Sequence, residues 1–177
     1  MNSNMTRAGE AVERVIDGAG SLPSARPVTS VLALDIATNT GWASHISGRR
    51  ASGVLNLPTA DYGAMGARFS GWLADEIYEG VDLLVIERPT FSRITDSSYR
   101  CDGLCFLAHQ TAFLHDVDRR EVRPKEWRKA IYGKGGMNTL EAKKFAMVWA
   151  REMGYDPKTH DEAEALAILT YAMERWA

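Results

Sequence analysis

Two short apolar stretches that each end in a carboxylate constrain this chain more than any other feature. Residues 30–35 (SVLALD) and 82–87 (DLLVIE) have the length and composition of buried strands. A lone carboxylate is costly to bury, so such an acid usually lies at a strand's exposed end or binds a cation. Ligand sites in α/β sheets gather at the carboxyl ends of strands. We therefore expect Asp35 and Glu87 to meet across neighbouring strands, the alternative being two unrelated acids in loops.

The remaining pattern predicts an α/β fold around these two strands. Three closely spaced strands come first and suggest an antiparallel meander. We expect strands at residues 30–35, 42–46, 51–57, 82–87 and 121–124, and helices at 61–79, 99–115, 125–132, 139–153 and 160–176. Thr139 is a candidate helix cap. This order predicts a mixed five-stranded sheet, with the three antiparallel strands first, flanked by helices.

The length of 177 residues suits one domain, which we place at residues 29–177. Residues 1–28 are rich in Ser, Gly, Ala, Asn and Pro, and we expect a flexible N-terminal leader there. No apolar run approaches the roughly 18–20 residues that span a bilayer, so we expect no membrane partner. Two cysteines provide no disulfide framework, and a reduced, cytoplasmic setting is the simplest interpretation.

A second group of acids opens the last predicted helix, in residues 160–169 (HDEAEALAIL). Asp161 and Glu164 are three positions apart and project from the same side of the first turn. The helix dipole also favours acids at this place, which is the structural alternative to a functional role. We interpret Glu162 as a solvent-exposed acid.

Four converging carboxylates repel one another unless cations lie between them. Mg²⁺ and Mn²⁺ are hard ions that take oxygen ligands and suit such a site. Two ions about 3.5–4 Å apart can activate a water and stabilise the leaving oxygen in phosphodiester cleavage. The residues by themselves carry the prediction as far as an acid-lined metal site.

The net charge of −2 does not indicate a nucleic-acid partner, but the distribution of charge does. Residues 119–134 hold seven basic side chains against two acidic ones. The four acids discussed above lie elsewhere in the chain. A nearly neutral total can therefore hide a basic surface beside an acidic pocket.

These motifs together resemble the RuvC-like branch of the RNase H-like nucleases. The resemblance is carried by residues 32–35 (LALD), 40–43 (TGWA), 84–87 (LVIE) and 161–168 (DEAEALAI). Residues 122–135 look like that family's short strand, basic helix and glycine loop. The resemblance spans about residues 30–172 with the elements in the family's order, and the ordered set is more specific than any single motif.

The resemblance implies an RNase H-like fold and a homodimer that resolves Holliday junctions by paired, symmetric nicks with Mg²⁺. By position, Asp35 would be a metal ligand on the first strand and Glu87 one on the fourth, with Asp161 and Glu164 as helix ligands. All four would be catalytic. Glu164 departs from the family, which usually has Asp there, and its longer side chain should still reach a metal. The leader and loops suggest a divergent, phage-type relative.

The resemblance and the charge pattern also indicate DNA-binding residues near the acids. Basic side chains would hold phosphates in a salt-dependent, sequence-independent manner, with a solvated helix face as the alternative. Phe91 would stack on bases at the branch, as an aromatic does in the family, or pack in the core. The candidates are Arg88, Phe91, Arg93, Arg123, Lys125, Arg128, Lys129 and Lys134.

Three other functions fit parts of the sequence. The first is another RNase H-like nuclease acting on other branched DNA or on RNA–DNA hybrids, and the second is a non-catalytic junction-binding protein. The third is an actin-like phosphotransferase, which normally needs two such domains, and 177 residues leave no room for the second.

Cys101, Cys105 and His109 recur at helical spacing and raise the question of a zinc site. Zinc would need a fourth ligand, and none is evident. The same stripe continues with Leu104, Ala108 and Ala112, and we interpret it instead as a packing face or a dimer contact.

Overall fold

The protein is described by a computed structural model that covers residues 27–89 and 95–177. Five strands form its central sheet: β1 (Val31–Asp35), β2 (Asn39–Ile46), β3 (Arg49–Asn56), β4 (Leu83–Glu87) and β5 (Asp118–Val122). Their spatial order is β3-β2-β1-β4-β5. The pairs β3–β2 and β2–β1 are antiparallel, whereas β1–β4 and β4–β5 are parallel. The predicted mixed sheet with three antiparallel strands first is thus confirmed.

In the described part of the chain, five helices flank the sheet: α1 (Tyr62–Tyr78), α2 (Asp96–Leu114), α3 (Pro124–Tyr132), α4 (Thr139–Glu152) and α5 (His160–Trp176). The start of α2 and the capping residue of α4 differ from the sequence prediction. Helix α2 begins at Asp96, since Thr95 and Ser98 form a capping box. Helix α4 is capped by Asn138 rather than Thr139, through a bond from the Glu141 amide to the Asn138 side chain.

The sheet separates two hydrophobic cores, and the strand alternation decides which side each residue faces. Odd-numbered positions of β1 and β4, such as Val31 and Val85, pack with helices α3, α4 and α5. Even-numbered positions, such as Leu32 and Leu84, pack with α1 and α2. Burial on both faces explains the continuous apolar runs in the sequence. Since 35 and 87 continue the odd series, both acids lie on the side of α5.

The Cys101 stripe on α2 is a packing face, as one of the two interpretations expected. Cys101 is buried, and the small and apolar residues of the stripe (Leu104, Ala108 and Ala112) lie in the core beneath α1 and α2. Most of this face is therefore covered within the chain, and Cys105 is half-buried at its margin.

The outer strands of the described sheet are strongly charged. In β5 the first four residues (DRRE) are exposed, and β3 begins with exposed Arg49 and Arg50. Within residues 27–89 and 95–177, no helix combines the length and apolarity that a bilayer crossing requires.

Candidate metal centre

The parallel pairing of β1 and β4 brings two of the predicted acids side by side. Leu34 pairs with Ile86, so Asp35 and Glu87 follow at the carboxyl ends of adjacent strands. Each of the two carboxyl groups changes the pKa of the other, as expected for close neighbours. The expected meeting of these two acids is observed.

Helix α5 adds the other two acids from above the strand ends. Thr159 caps the helix by accepting a bond from the Glu162 amide, which fixes the first turn. One carboxylate oxygen each of Asp35, Asp161 and Glu164 lies within 4.8 Å of the others. No other such group of potential ligands is found within the described parts of the chain. Three converging carboxylates fit Mg²⁺ or Mn²⁺, and Glu164 reaches the cluster despite its extra methylene.

A glycine allows α5 to come this close to the sheet. Gly41 in β2 pairs with Asp35. A Cβ at Gly41 would lie 2.0 Å from the carbonyl oxygen of Asp161 and 2.4 Å from its carbonyl carbon. Any side chain at this position would therefore push the start of α5 away from Asp35. The sequence motif contains this glycine, but its role depends on a helix 120 residues further along the chain and was not predicted.

Glu162 is buried, and its prediction as a solvent-exposed acid is wrong. Its carboxylate accepts bonds from the Ser52 hydroxyl at 2.7 Å and from the Lys158 amide at 2.8 Å. These donors satisfy the carboxylate, which is what permits its burial. Because Ser52 belongs to β3, the contact ties the first turn of α5 to the antiparallel side of the sheet.

Arg128 lies among the acids rather than on the surface. Its Nη2 is 2.7 Å from Glu164 Oε1 and 3.7 Å from Glu87 Oε1. The neighbouring Trp127 is fully buried and donates its Nε1–H to Glu87 at 3.3 Å. Sequence reasoning placed Arg128 on DNA phosphates; the structure directs its guanidinium into the acid cluster.

The other predicted DNA-binding residues that the structure describes fall into two groups. Arg123, Lys125 and Lys129 are exposed on α3 or at its start. Two more make ion pairs: Lys134 with Glu141 at 2.5 Å, and Arg88 with Glu121 at 3.9 Å. Phe91 and Arg93, like most of the predicted leader (residues 1–26), lie outside the described residues.

Two further side chains at the site were not singled out from the sequence. Lys143 Nζ lies 4.0 Å from Asp161 Oδ1 and 3.1 Å from His160 Nε2. His160 Nδ1 lies 2.7 Å from the same Asp161 oxygen. The charge run around Lys143 was visible in the sequence, but nothing there linked it to Asp161.

Burial and mutual repulsion change the acidity of these carboxylates. Burial, reinforced by the charges of Glu87 and Glu164, raises the pKa of Asp35 well above its usual range. Burial raises the pKa of Glu87 to about 7, although Arg128 acts in the opposite direction. Burial also raises the pKa of Glu164. A divalent cation would remove this repulsion, and its binding would displace protons.

The acids open into a cleft of about 200 Å³. Its lining combines Asp35 and Glu87 with the cationic side chains of Arg88 and Arg128. Such a lining can accommodate a metal-bound, negatively charged group such as a phosphate.

The zinc alternative gains no support from the described residues. His109 Nε2 is already engaged, 2.9 Å from Glu121 Oε1. Burial raises the pKa of Cys105 to about 12, which disfavours the thiolate that zinc binds.

The described residues form an RNase H-like fold with carboxylates at the carboxyl ends of β1 and β4. RuvC from Thermus thermophilus aligns with a TM-score of 0.65 and 16% identity, over 82% of this chain and 95% of that one. RuvC of the same organism in complex with a Holliday junction substrate gives 0.64 and 13%, with the same coverage.

The fowlpox virus Holliday junction resolvase aligns with a TM-score of 0.52 and 12% identity, over 82% of this chain and 98% of that one. No protein-family model matches the chain, and neither does any curated protein. At these identities the comparisons establish a shared fold.

Proposed function

We propose that this protein is an endonuclease that resolves four-way (Holliday) DNA junctions with Mg²⁺ or Mn²⁺. The observation that carries the proposal is the convergence of Asp35, Asp161 and Glu164 within 4.8 Å. The fold supports it, because RuvC with this fold has been solved in complex with a Holliday junction substrate. Glu87 belongs to the proposed catalytic group because it lies beside Asp35 at the end of the adjacent strand.

The three converging carboxylates would hold the metal. A bound divalent ion supplies a nucleophilic water at neutral pH and stabilises negative charge on a phosphate. In the metal-free site, burial raises the pKa of Glu87 to about 7, so its carboxylate can take up a proton near neutral pH. Lys143 adds a cationic side chain 4.0 Å from Asp161.

The basic residues around the cleft would hold the DNA backbone. Arg88 lines the cleft, and the exposed side chains of Arg123, Lys125 and Lys129 extend the positive surface along α3. We propose phosphate contacts for these residues and for Lys134 and Arg93, and base stacking for Phe91.

The decisive experiment compares cleavage of a mobile four-way junction, plain duplex and RNA–DNA hybrid in Mg²⁺ or Mn²⁺. We expect symmetric nicking of the junction and no product from the other two. Asp35→Asn should abolish nicking, whereas Asp75→Asn, an exposed acid on α1, should cleave like the unaltered protein. Cleavage by Asp35→Asn would overturn the mechanism, and cleavage of the hybrid alone would favour a different RNase H-like nuclease. Junction binding without any cleavage would favour a non-catalytic junction-binding protein.

Paired nicks require two active sites, and we propose that α2 supplies the homodimer contact. Tyr99, Phe106 and Phe113 are spaced seven residues apart, and their exposed fractions are 68%, 67% and 39%. A seven-residue apolar repeat is typical of helices that pack against another helix. Gly103 lies on the same exposed side with open space above it, which lets a second helix approach closely.

Sedimentation analysis tests this contact directly. We expect a dimer for the unaltered chain and a monomer for Phe106→Glu. Leu140→Glu replaces an equally exposed apolar residue, 66% exposed on α4, and should remain dimeric. A Phe106→Glu variant that stays dimeric would place the contact elsewhere.

A further inference from the structure

Arg128 lies between the three converging acids and the fourth acid, Glu87. Its guanidinium lies between Glu164 and Glu87, and only 16% of its side chain is exposed. The carbon of the guanidinium stands 5.1 Å from the centre of the Trp127 ring, a cation–π contact that fixes its position. An arginine held in this way is part of the site rather than a passing surface charge.

One carboxylate oxygen of Glu87 is already engaged by protein donors. Its Oε1 receives the Trp127 indole N–H at 3.3 Å and faces Arg128 at 3.7 Å. Within the described residues, the group of oxygens close enough to share one ion contains Asp35, Asp161 and Glu164, but not Glu87. The geometry thus offers one three-carboxylate position, and Glu87, which lies outside it, faces protein donors instead.

The balance of charge in the site also favours a single divalent ion. Four ionised carboxylates are neutralised by one divalent ion together with the Arg128 guanidinium and the Lys143 ammonium, which lies 4.0 Å from Asp161. Two divalent ions beside the same two cations would leave an excess of two positive charges in a largely buried site. Such an excess is unfavourable where the surroundings screen charge poorly.

We propose that Arg128 takes the place of a second metal ion, so that one divalent ion binds through Asp35, Asp161 and Glu164. This inference rests on the proposed nuclease function. It replaces the pair of ions considered from the sequence with one ion per site. The guanidinium would carry the second positive charge toward the phosphate. It suits that role because it stays protonated and presents several N–H donors, and its Nε–H is buried without a partner in the described structure.

Counting bound Mn²⁺ tests the proposal without measuring cleavage. In calorimetric titration of the full chain we expect one Mn²⁺ per chain, and one again for Arg128→Lys, which keeps the charge. Arg128→Gln removes the charge and frees Glu87, and should bind two. Two ions in the unaltered chain, or a single ion in Arg128→Gln, would overturn the inference and leave the nuclease proposal intact. No Mn²⁺ binding at all would instead overturn the metal site of the nuclease proposal.

Electron paramagnetic resonance of the unaltered chain gives an answer that does not depend on how the variants fold. An isolated Mn²⁺ spectrum supports the single ion, whereas the spectrum of a coupled pair contradicts it. Because DNA can contribute a ligand to a second ion, the measurement is repeated on protein frozen immediately after mixing with a four-way junction. We expect the isolated spectrum there as well.

Discussion

Replacement of Gly41 by alanine should damage the metal centre without touching any of its ligands. The added Cβ would lie 2.0 Å from the Asp161 carbonyl oxygen, whereas ordinary contact begins at 3.4 Å, so the start of α5 must retreat by about 1.4 Å. Overpacking of this kind typically costs about 1–3 kcal/mol of stability. The retreat carries Asp161, and with it Glu164, away from Asp35.

Metal and catalytic groups tolerate displacements of only about 0.5 Å, and an error of 1 Å can reduce a rate about 100-fold. We therefore expect Gly41→Ala to bind Mn²⁺ at least about tenfold more weakly and to cleave junctions about 100-fold more slowly. The sheet registers and the two cores should survive, because the clash is confined to the first turn of α5.

Calorimetry measures the Mn²⁺ affinity, a gel assay measures cleavage, and circular dichroism with thermal unfolding verifies the fold. Gly71→Ala on α1 is the matched control, since its added Cβ meets nothing within 4 Å, and it should behave like the unaltered protein. A Gly41→Ala protein with unaltered Mn²⁺ affinity and cleavage would refute the idea that this glycine sets the position of α5.

Three further predictions follow from contacts at the site. An acid whose folded pKa is raised makes the folded state bind more protons than the unfolded state, so the metal-free protein should lose stability as pH rises from about 4.5 to 7. Glu87 alone corresponds to roughly 3 kcal/mol over that window. Urea unfolding with a chelator at pH 5 and pH 8 tests this prediction. Added Mg²⁺ should restore stability at pH 8. Equal stability of the metal-free protein at both pH values would contradict the prediction. Ser52→Ala removes a hydrogen-bond donor from buried Glu162, so it should lower the free energy of unfolding by about 1–3 kcal/mol and weaken Mn²⁺ binding. An unchanged melting temperature would argue against the contact between β3 and α5. Lys125→Ala should weaken junction binding equally for all DNA sequences. It should also lower the slope of the logarithm of the binding constant against the logarithm of the salt concentration by about one, which filter binding across salt concentrations measures.

The sequence was sufficient for the features that follow from local pattern. Burial on both faces gives β1 and β4 continuous apolar runs, so the strands and their terminal acids Asp35 and Glu87 could be located. Helical spacing likewise placed Asp161 and Glu164 on one side of α5. These inferences need no knowledge of the tertiary structure beyond the rule that ligand sites gather at strand ends.

Features that depend on distant partners were not predictable. Glu162 reads as a surface acid because its donor Ser52 is 110 positions away. Arg128 reads as a phosphate-binding residue because its acidic partners lie on other elements. The start of β5 was placed three residues late, since an exposed, charged edge strand lacks the apolar alternation that identifies strands.

The charged outer strands have a consequence for how the protein behaves during synthesis and at high concentration. An unpaired strand edge is a template for aggregation, and arginines on β3 and β5 oppose the addition of another strand there. The addition of strands from other molecules, as in fibrils or in strand swapping, is therefore disfavoured at both edges of the sheet. Such a chain can reach a high concentration while the exposed apolar residues of α2 stay available for contact.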